Sequence, residues 1–186
     1  MRKLMLFAAC AMLAAVTQAA AVGWTLAGAT AYANDAYQFF IIGQNGVTDI
    51  ATVTALLDAG SSVDSYAFGS GTVAANGAAN VVAASSGKSV DAGTYTGFFV
   101  VYDSASPASG SANYAVISGG TGLTKTATAT TSGITFAGGN QSTYLNNTDN
   151  WKSFGPASST DPTPEPTSGL LLLVGAGLLG LRRKRA

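Results

Sequence analysis

The 186-residue sequence has no histidine, a single cysteine, a single glutamate, and no arginine between Arg2 and Arg182. Each absence closes a class of chemistry. Without histidine, neither a Ser-His-Asp nor a Cys-His arrangement can be built, and zinc sites based on His or Cys are excluded. The glutamate, Glu165, lies near the C-terminus, so residues 20–157 offer only aspartates for carboxylate chemistry. The six aspartates from Asp35 to Asp103 are scattered, and nothing in their spacing suggests a pair held about 5–9 Å apart, as glycoside hydrolysis requires. Lys88-Ser89 contains the elements of a Ser-Lys dyad but reads as an ordinary loop lysine. The expectation is a protein that is not an enzyme and holds no cofactor. Calcium is left open, because oxygen ligands are plentiful although no D-x-D-x-D-G loop occurs.

Charge is scarce and segregated. Between Ala20 and Asp161 stand three lysines (Lys88, Lys125, Lys152) against eight aspartates. An acidic, arginine-free region gains nothing from counterion release, so nucleic acid is excluded as a partner. Two Trp and seven Tyr, with most of the Phe, supply a core despite the Gly, Ala, Ser and Thr content. Residues 20–157 suit one small domain.

The two ends read as addresses. Arg2 and Lys3 precede an apolar run from Leu4 to Val16, followed by small residues. This is a secretory signal peptide, residues 1–19, recognised by the translocon and signal peptidase. The run is too short to span a bilayer, which takes about 20 residues. Thr17-Gln18-Ala19 sets small side chains at −3 and −1, favouring cleavage after Ala19, with Ala21 as the alternative. Cys10 falls inside the apolar run and is removed with it, leaving a mature chain without thiols.

At the other end, a Pro/Ser/Thr linker (158–167) carries Pro164-Glu165-Pro166. An apolar stretch (168–181) follows, with Leu170, Leu173, Gly175, Gly177 and Leu181, and then a basic tail (182–186) with Arg182, Arg183, Lys184 and Arg185. Gly175 to Gly180 spells GxGxxG, but a dinucleotide fingerprint needs a strand before it, a helix after it and an acidic residue further on. Here Leu181 and the basic cluster follow instead, so the glycines are the small-residue surface of a membrane segment, where another helix can approach closely. The basic cluster halts export and faces the cytoplasm, which puts Pro164-Glu165-Pro166 just outside the inner membrane. As a helix, 168–181 would reach roughly 21 Å against a hydrocarbon core of about 30 Å. That is short for a permanent anchor and adequate for a signal that is read once.

This three-part tail resembles the PEP-CTERM sorting signal of Gram-negative bacteria, which is handled by membrane transpeptidase-like enzymes called exosortases. The resemblance covers the last stretch of the chain and the signal peptide. It implies an exported protein, a precursor tethered in the inner membrane, processing by an exosortase-like membrane protease, and delivery to the cell surface or an exopolysaccharide matrix. It implies nothing about residues 20–157.

Those residues read mostly as strands, a β-sandwich-like domain of about seven short strands with one short helix. The expected strands are Gly23–Tyr32, Tyr37–Ile42, a hairpin about Asn76-Gly77 within 73–83, Tyr95–Tyr102 paired with Asn113–Ser118, Thr124–Thr131 at an edge, and Gly133–Ala137 last. Thr48–Gly60 has a helical period through Ile50, Val53 and Leu57, with Thr48 as the expected N-cap.

The segment from Asn140 to Trp151 is rich in amides and carries Tyr144 and Trp151, the expected aromatic platform of a glycan contact. Its alternative is a terminal loop whose Trp151 and Phe154 pack back to close the domain. The sequence thus points to a cell-surface or matrix protein with a structural or adhesive role, or to a glycan-binding module retained in exopolysaccharide.

Overall fold

The computed structural model describes residues 19–28, 30–75 and 82–156. The signal segment through Gln18, the Asn76-Gly77 turn and everything from residue 157 onward, including the expected membrane segment, lie outside the described residues. Among the described residues no helix is long and apolar enough to cross a membrane.

Nine strands and two short helices form in the order β1 (Ala20–Ala27), β2 (Ala36–Ile41), α1 (Ile50–Asp58), β3 (Gly69–Thr72), β4 (Val82–Val90), β5 (Gly93–Tyr102), β6 (Asn113–Ile117), β7 (Thr124–Ala127), β8 (Gly133–Asn140), α2 (Ser142–Leu145) and β9 (Trp151–Ser153), counted among the described residues. The chain is mainly β, in two sheets. One has the order β4-β1-β8, and the other the order β3-β2-β5-β6-β9 with β7 also paired to β5.

The larger sheet explains two sequence runs that do not alternate. Tyr37, Phe39 and Ile41 of β2 face the smaller sheet with Phe99 and Val101 of β5, where they meet Trp24, Leu26 and Phe136. Their neighbours Phe40, Phe98, Val100 and Tyr102 point the other way, onto Val53 and Leu57 of α1 and onto Val47, Val63 and Phe154. A sheet covered on both faces needs apolar residues at both parities, so YQFFII and FFVVY read as continuous runs. The pairing Phe40↔Phe98 stacks its rings at 5.0 Å, and Trp24 stacks on Phe39 at 4.9 Å. In the smaller sheet β1 alternates, with Ala20, Val22, Trp24 and Leu26 buried and their neighbours more exposed among the described residues.

Several expectations change. The first strand ends at Ala27 rather than Tyr32, because Gly28 takes φ +77° and turns the chain into a 3-10 turn at Thr30–Tyr32. The helix cap is Asp49, not Thr48: the Asp49 carboxylate accepts from the Thr52 amide at 2.7 Å. A carboxylate at this position satisfies a free helix amide and meets the positive end of the helix dipole. On either side of residues 76–81, β3 pairs with β2 and β4 with β1, while the expected Asn76-Gly77 turn itself lies outside the described residues. The threonine strand stops at Ala127, where Thr128 and Thr131 close a turn with each other. What remains of it pairs with β5 through Thr94–Thr126 and Thr96–Thr124 hydroxyl contacts. The second half of β4, and β9 after β8, are strands the sequence reading did not contain. The β5–β6 hairpin forms as expected, and Ile134 and Phe136 share the buried face of β8.

Candidate functional site

The amide-rich segment after β8 is largely consumed by its own fold. Asn140 Oδ1 accepts from the Ser142 amide, Gln141 Nε2 donates to Gly138 O, and Asn150 Nδ2 donates to Tyr144 O at 2.8 Å. Leu145 is buried in the core. Tyr144 packs half-buried against the same core, and its hydroxyl donates to Val116 O at 2.8 Å. The loop is thereby folded down over the end of β6.

Trp151 behaves differently. It opens β9 opposite Ala115 of β6, and its indole Nε1 donates to Leu145 O at 2.8 Å. The Tyr32 hydroxyl donates to that same carbonyl at 2.8 Å. One backbone oxygen therefore holds the polar ends of two aromatic side chains from opposite ends of the domain. Their rings lie 4.6 Å apart, tilted by 35°. Together with Asp103, Asn113 and Thr148 they line a cleft of about 310 Å3.

Strand parity assembles this cleft. Tyr102 faces α1, so the next residue, Asp103, emerges on the opposite face of the larger sheet. Asn113 lies across from it: the Asp103 amide donates to Asn113 O at 3.1 Å. Asp103 Oδ1 then accepts from the Asn113 amide, and Oδ2 from Asn113 Nδ2, both at 2.7 Å. Burial, then the Asp103 charge, raise the Tyr32 pKa above the ordinary phenol value. Burial and Asp103 likewise hold the Asp35 carboxyl above the usual carboxylate range. Asp35 and Asp103, 68 positions apart in the numbering, are thus electrostatic neighbours, a pairing invisible in their linear spacing.

The aromatic pair facing the cleft is Tyr32 and Trp151, rather than Tyr144 and Trp151; Tyr144 does not line it. The sequence reading gave Tyr32 to a strand. The signal it lacked was the hairpin register that sets Asp103 beside Asn113 at this end of the sheet. Phe154 is buried against Tyr102, consistent with a terminal segment packed back on the domain.

A second polar cluster lies on the α1 side. Gln38 is the buried polar side chain among the described residues. Its Nε2 donates to Asp64 Oδ1 at 2.6 Å, and its Oε1 accepts from the Tyr102 hydroxyl at 2.7 Å. Ser62 Oγ donates to Asp64 Oδ2 at 2.9 Å. Burial and Asp64 push the Tyr102 pKa well above the ordinary phenol value, so the hydroxyl stays a donor. The chain of bonds ties the 61–68 loop to β2 and β5, and its geometry is that of a fastening. Lys88 donates to Phe68 O at 3.0 Å. Lys88 and Ser89 are successive residues of β4, so their side chains leave opposite faces. Among the described residues no group of three or more Asp, Glu, His or Cys gathers as a metal site.

The sorting residues Pro164, Glu165 and Pro166 and the basic cluster lie outside the described residues. Residues 162–185 match the family model of the PEP-CTERM protein-sorting motif. No curated protein and no solved structure matches the chain.

Proposed function

From the PEP-CTERM sorting motif at residues 162–185, we propose that this exported protein is displayed at the cell surface or in the exopolysaccharide matrix, where its β domain has a non-enzymatic structural or adhesive role. The motif itself implies export and an exosortase-type processing partner. The observation that carries the proposal is its position directly behind a closed domain. Phe154 is buried, the Phe154 amide donates to Ala112 O at 2.8 Å, and the Gly155 amide donates to Leu57 O at 2.7 Å. Processing beyond Pro156 therefore removes none of the described contacts.

At the other end, Ala20 is fully buried and pairs with Val90. Cleavage after Ala19 keeps β1 whole, whereas cleavage after Ala21 removes two of its residues. This favours Ala19 as the signal peptidase site.

Intact mass of the protein from separate fractions of its native cells tests the proposal. The expected species begins at Ala20, ends near Pro164-Glu165-Pro166 and lies outside the inner membrane. A chain still ending at Ala186 and confined to the inner membrane would mean a plain anchor and a periplasmic domain.

The Tyr32–Trp151 cleft favours a second reading, a glycan-binding module retained in the extracellular polysaccharide. Paired aromatic faces beside a few polar groups are the usual make-up of a small-molecule site. Retention of the purified protein on its native polysaccharide tests it, and passage without delay counts against it.

A further inference from the structure

We infer that the Tyr32–Trp151 cleft is a subsite for a neutral saccharide, which lies on the aromatic pair and donates its hydroxyls to Asp103 and Asn113. This inference rests on the glycan reading, and adds the site and the charge class of the ligand.

Three observations carry it. First, both aromatic polar atoms are turned inward onto Leu145 O. The rings are thereby fixed with their polar atoms engaged, and both line the cleft, where apolar ring surface suits the C–H groups of a sugar. Neither ring has to be ordered on binding, which lowers the entropic cost.

Second, the polar lining is rich in acceptors. Asp103 takes one hydrogen bond on each oxygen, both from Asn113, and a carboxylate has about four acceptor sites, so two remain. Asn113 and Thr148, whose side chains each carry an acceptor oxygen, are the other polar residues of the lining. An acceptor-rich wall selects a ligand rich in O–H donors.

Third, the charge is of one sign. The lining contains Asp103 and no Lys or Arg, and Asp35 is an electrostatic neighbour of Asp103. A uronate, sulfate or phosphate entering here would meet like charge, whereas a neutral polyol would not. The volume of about 310 Å3 is at the low end for small-molecule sites. It suits one end or one residue of a glycan.

The mature protein from its native cells is titrated with neutral hexaoses (a β-1,4-glucan and an α-1,4-glucan) and an oligouronate of equal length, with and without EDTA. Trp24 is buried in the core, so a change in indole fluorescence reports on Trp151. Saturable binding of a neutral oligomer is expected, unaffected by EDTA and weakened about tenfold or more by Asp103→Asn, or by Trp151→Ala when binding is followed by calorimetry, since that variant lacks the reporting indole. Tyr144→Phe should bind as wild type. Thr148→Arg, at an exposed position, fills the cleft and should abolish binding even if Trp151→Ala does not fold. Neutral binding that survives Thr148→Arg, or that is lost in EDTA, overturns the inference. Binding of the oligouronate alone also overturns it but leaves the glycan reading standing. If none of the oligomers binds, the inference is lost, and the glycan reading is lost with it when the protein also passes its native polysaccharide without delay.

Discussion

Gly69 sits beneath the indole of Trp24, and a methyl group there would strike the ring edge at Cη2 and Cζ2. The ring is held on its other sides by Phe39 and by a hydrogen bond from Nε1 to the Tyr37 hydroxyl at 3.2 Å, so it has no simple escape. Gly69→Ala is expected to destabilise the domain by about 1–3 kcal/mol, the usual cost of overpacking, measured by urea unfolding. Gln38→Ala should cost about 1–3 kcal/mol by the same measurement, because the buried Tyr102 hydroxyl loses its acceptor. Asp35 gives a pH signature. Burial and Asp103 raise its folded pKa above the unfolded value. Its contribution to stability is therefore intact below the unfolded pKa and falls as pH rises through the folded one. Asp35→Asn should melt above wild type at neutral pH, and the difference should close as the pH drops below the ordinary carboxylate range. A difference that does not change with pH would rule this account out.

Among the elements, α1 shows how a short helix is positioned. Nine residues are too few for a stable isolated helix, and Val53 and Leu57 hold it by packing on the larger sheet. Its start is set by Asp49, whose pKa is lowered by hydrogen bonds from the Thr52 side chain and amide. The sign is opposite to that of Asp35: this contribution is present above the unfolded pKa and lost as pH falls through the folded one. Asp49→Ala should lower Tm at neutral pH and much less in acid, as followed by circular dichroism. The β3 and β4 segments give the contrary lesson. Asn-Gly between extended runs favours a two-residue hairpin. Here Gly69 of β3 must accommodate Trp24, while β4 supplies the antiparallel partner of β1. The described strands on either side are thus committed to different partners, β3 to β2 and β4 to β1.

For the whole molecule, the closure around Gly155 makes the domain self-contained. Gly155 and Gly60 approach each other beside Ser109, and a Cβ on Gly155 would lie 3.0 Å from the Gly60 Cα. Three chain segments thus meet near the end of the described residues. A chain stopped after Pro156 should unfold with the Tm and urea midpoint of the full chain, while in its native cells it loses sorting. A drop of several degrees in Tm would mean that the tail contributes to the fold. The cleft lies where β5, β6 and β9 meet the Thr30–Tyr32 turn.

What could be read from the sequence and what could not divide along the range of the interactions. The sorting tail is legible because a motif read by another protein must be contiguous: Pro164-Glu165-Pro166, the apolar run and the basic cluster follow one another. The strands β2, β5, β6 and β8 and the helix α1 are legible because their apolar patterns are local, continuous runs in β2 and β5 and periodic ones in β8 and α1. The end of β1 was missed because Gly28 turns the chain there, leaving Tyr32 to lie against Trp151. The cleft itself comes from residues far apart in the chain. Asp103 meets Asn113 only through the β5–β6 register, and Tyr32 and Trp151 share Leu145 O only once the first turn and the last strand close on one another. The sequence by itself determined the sorting signal and the strand-rich class, since both rest on short-range pattern. Tertiary structure alone decided which aromatic rings stand together and which carboxylates feel each other, because both depend on sheet order, which no local pattern encodes.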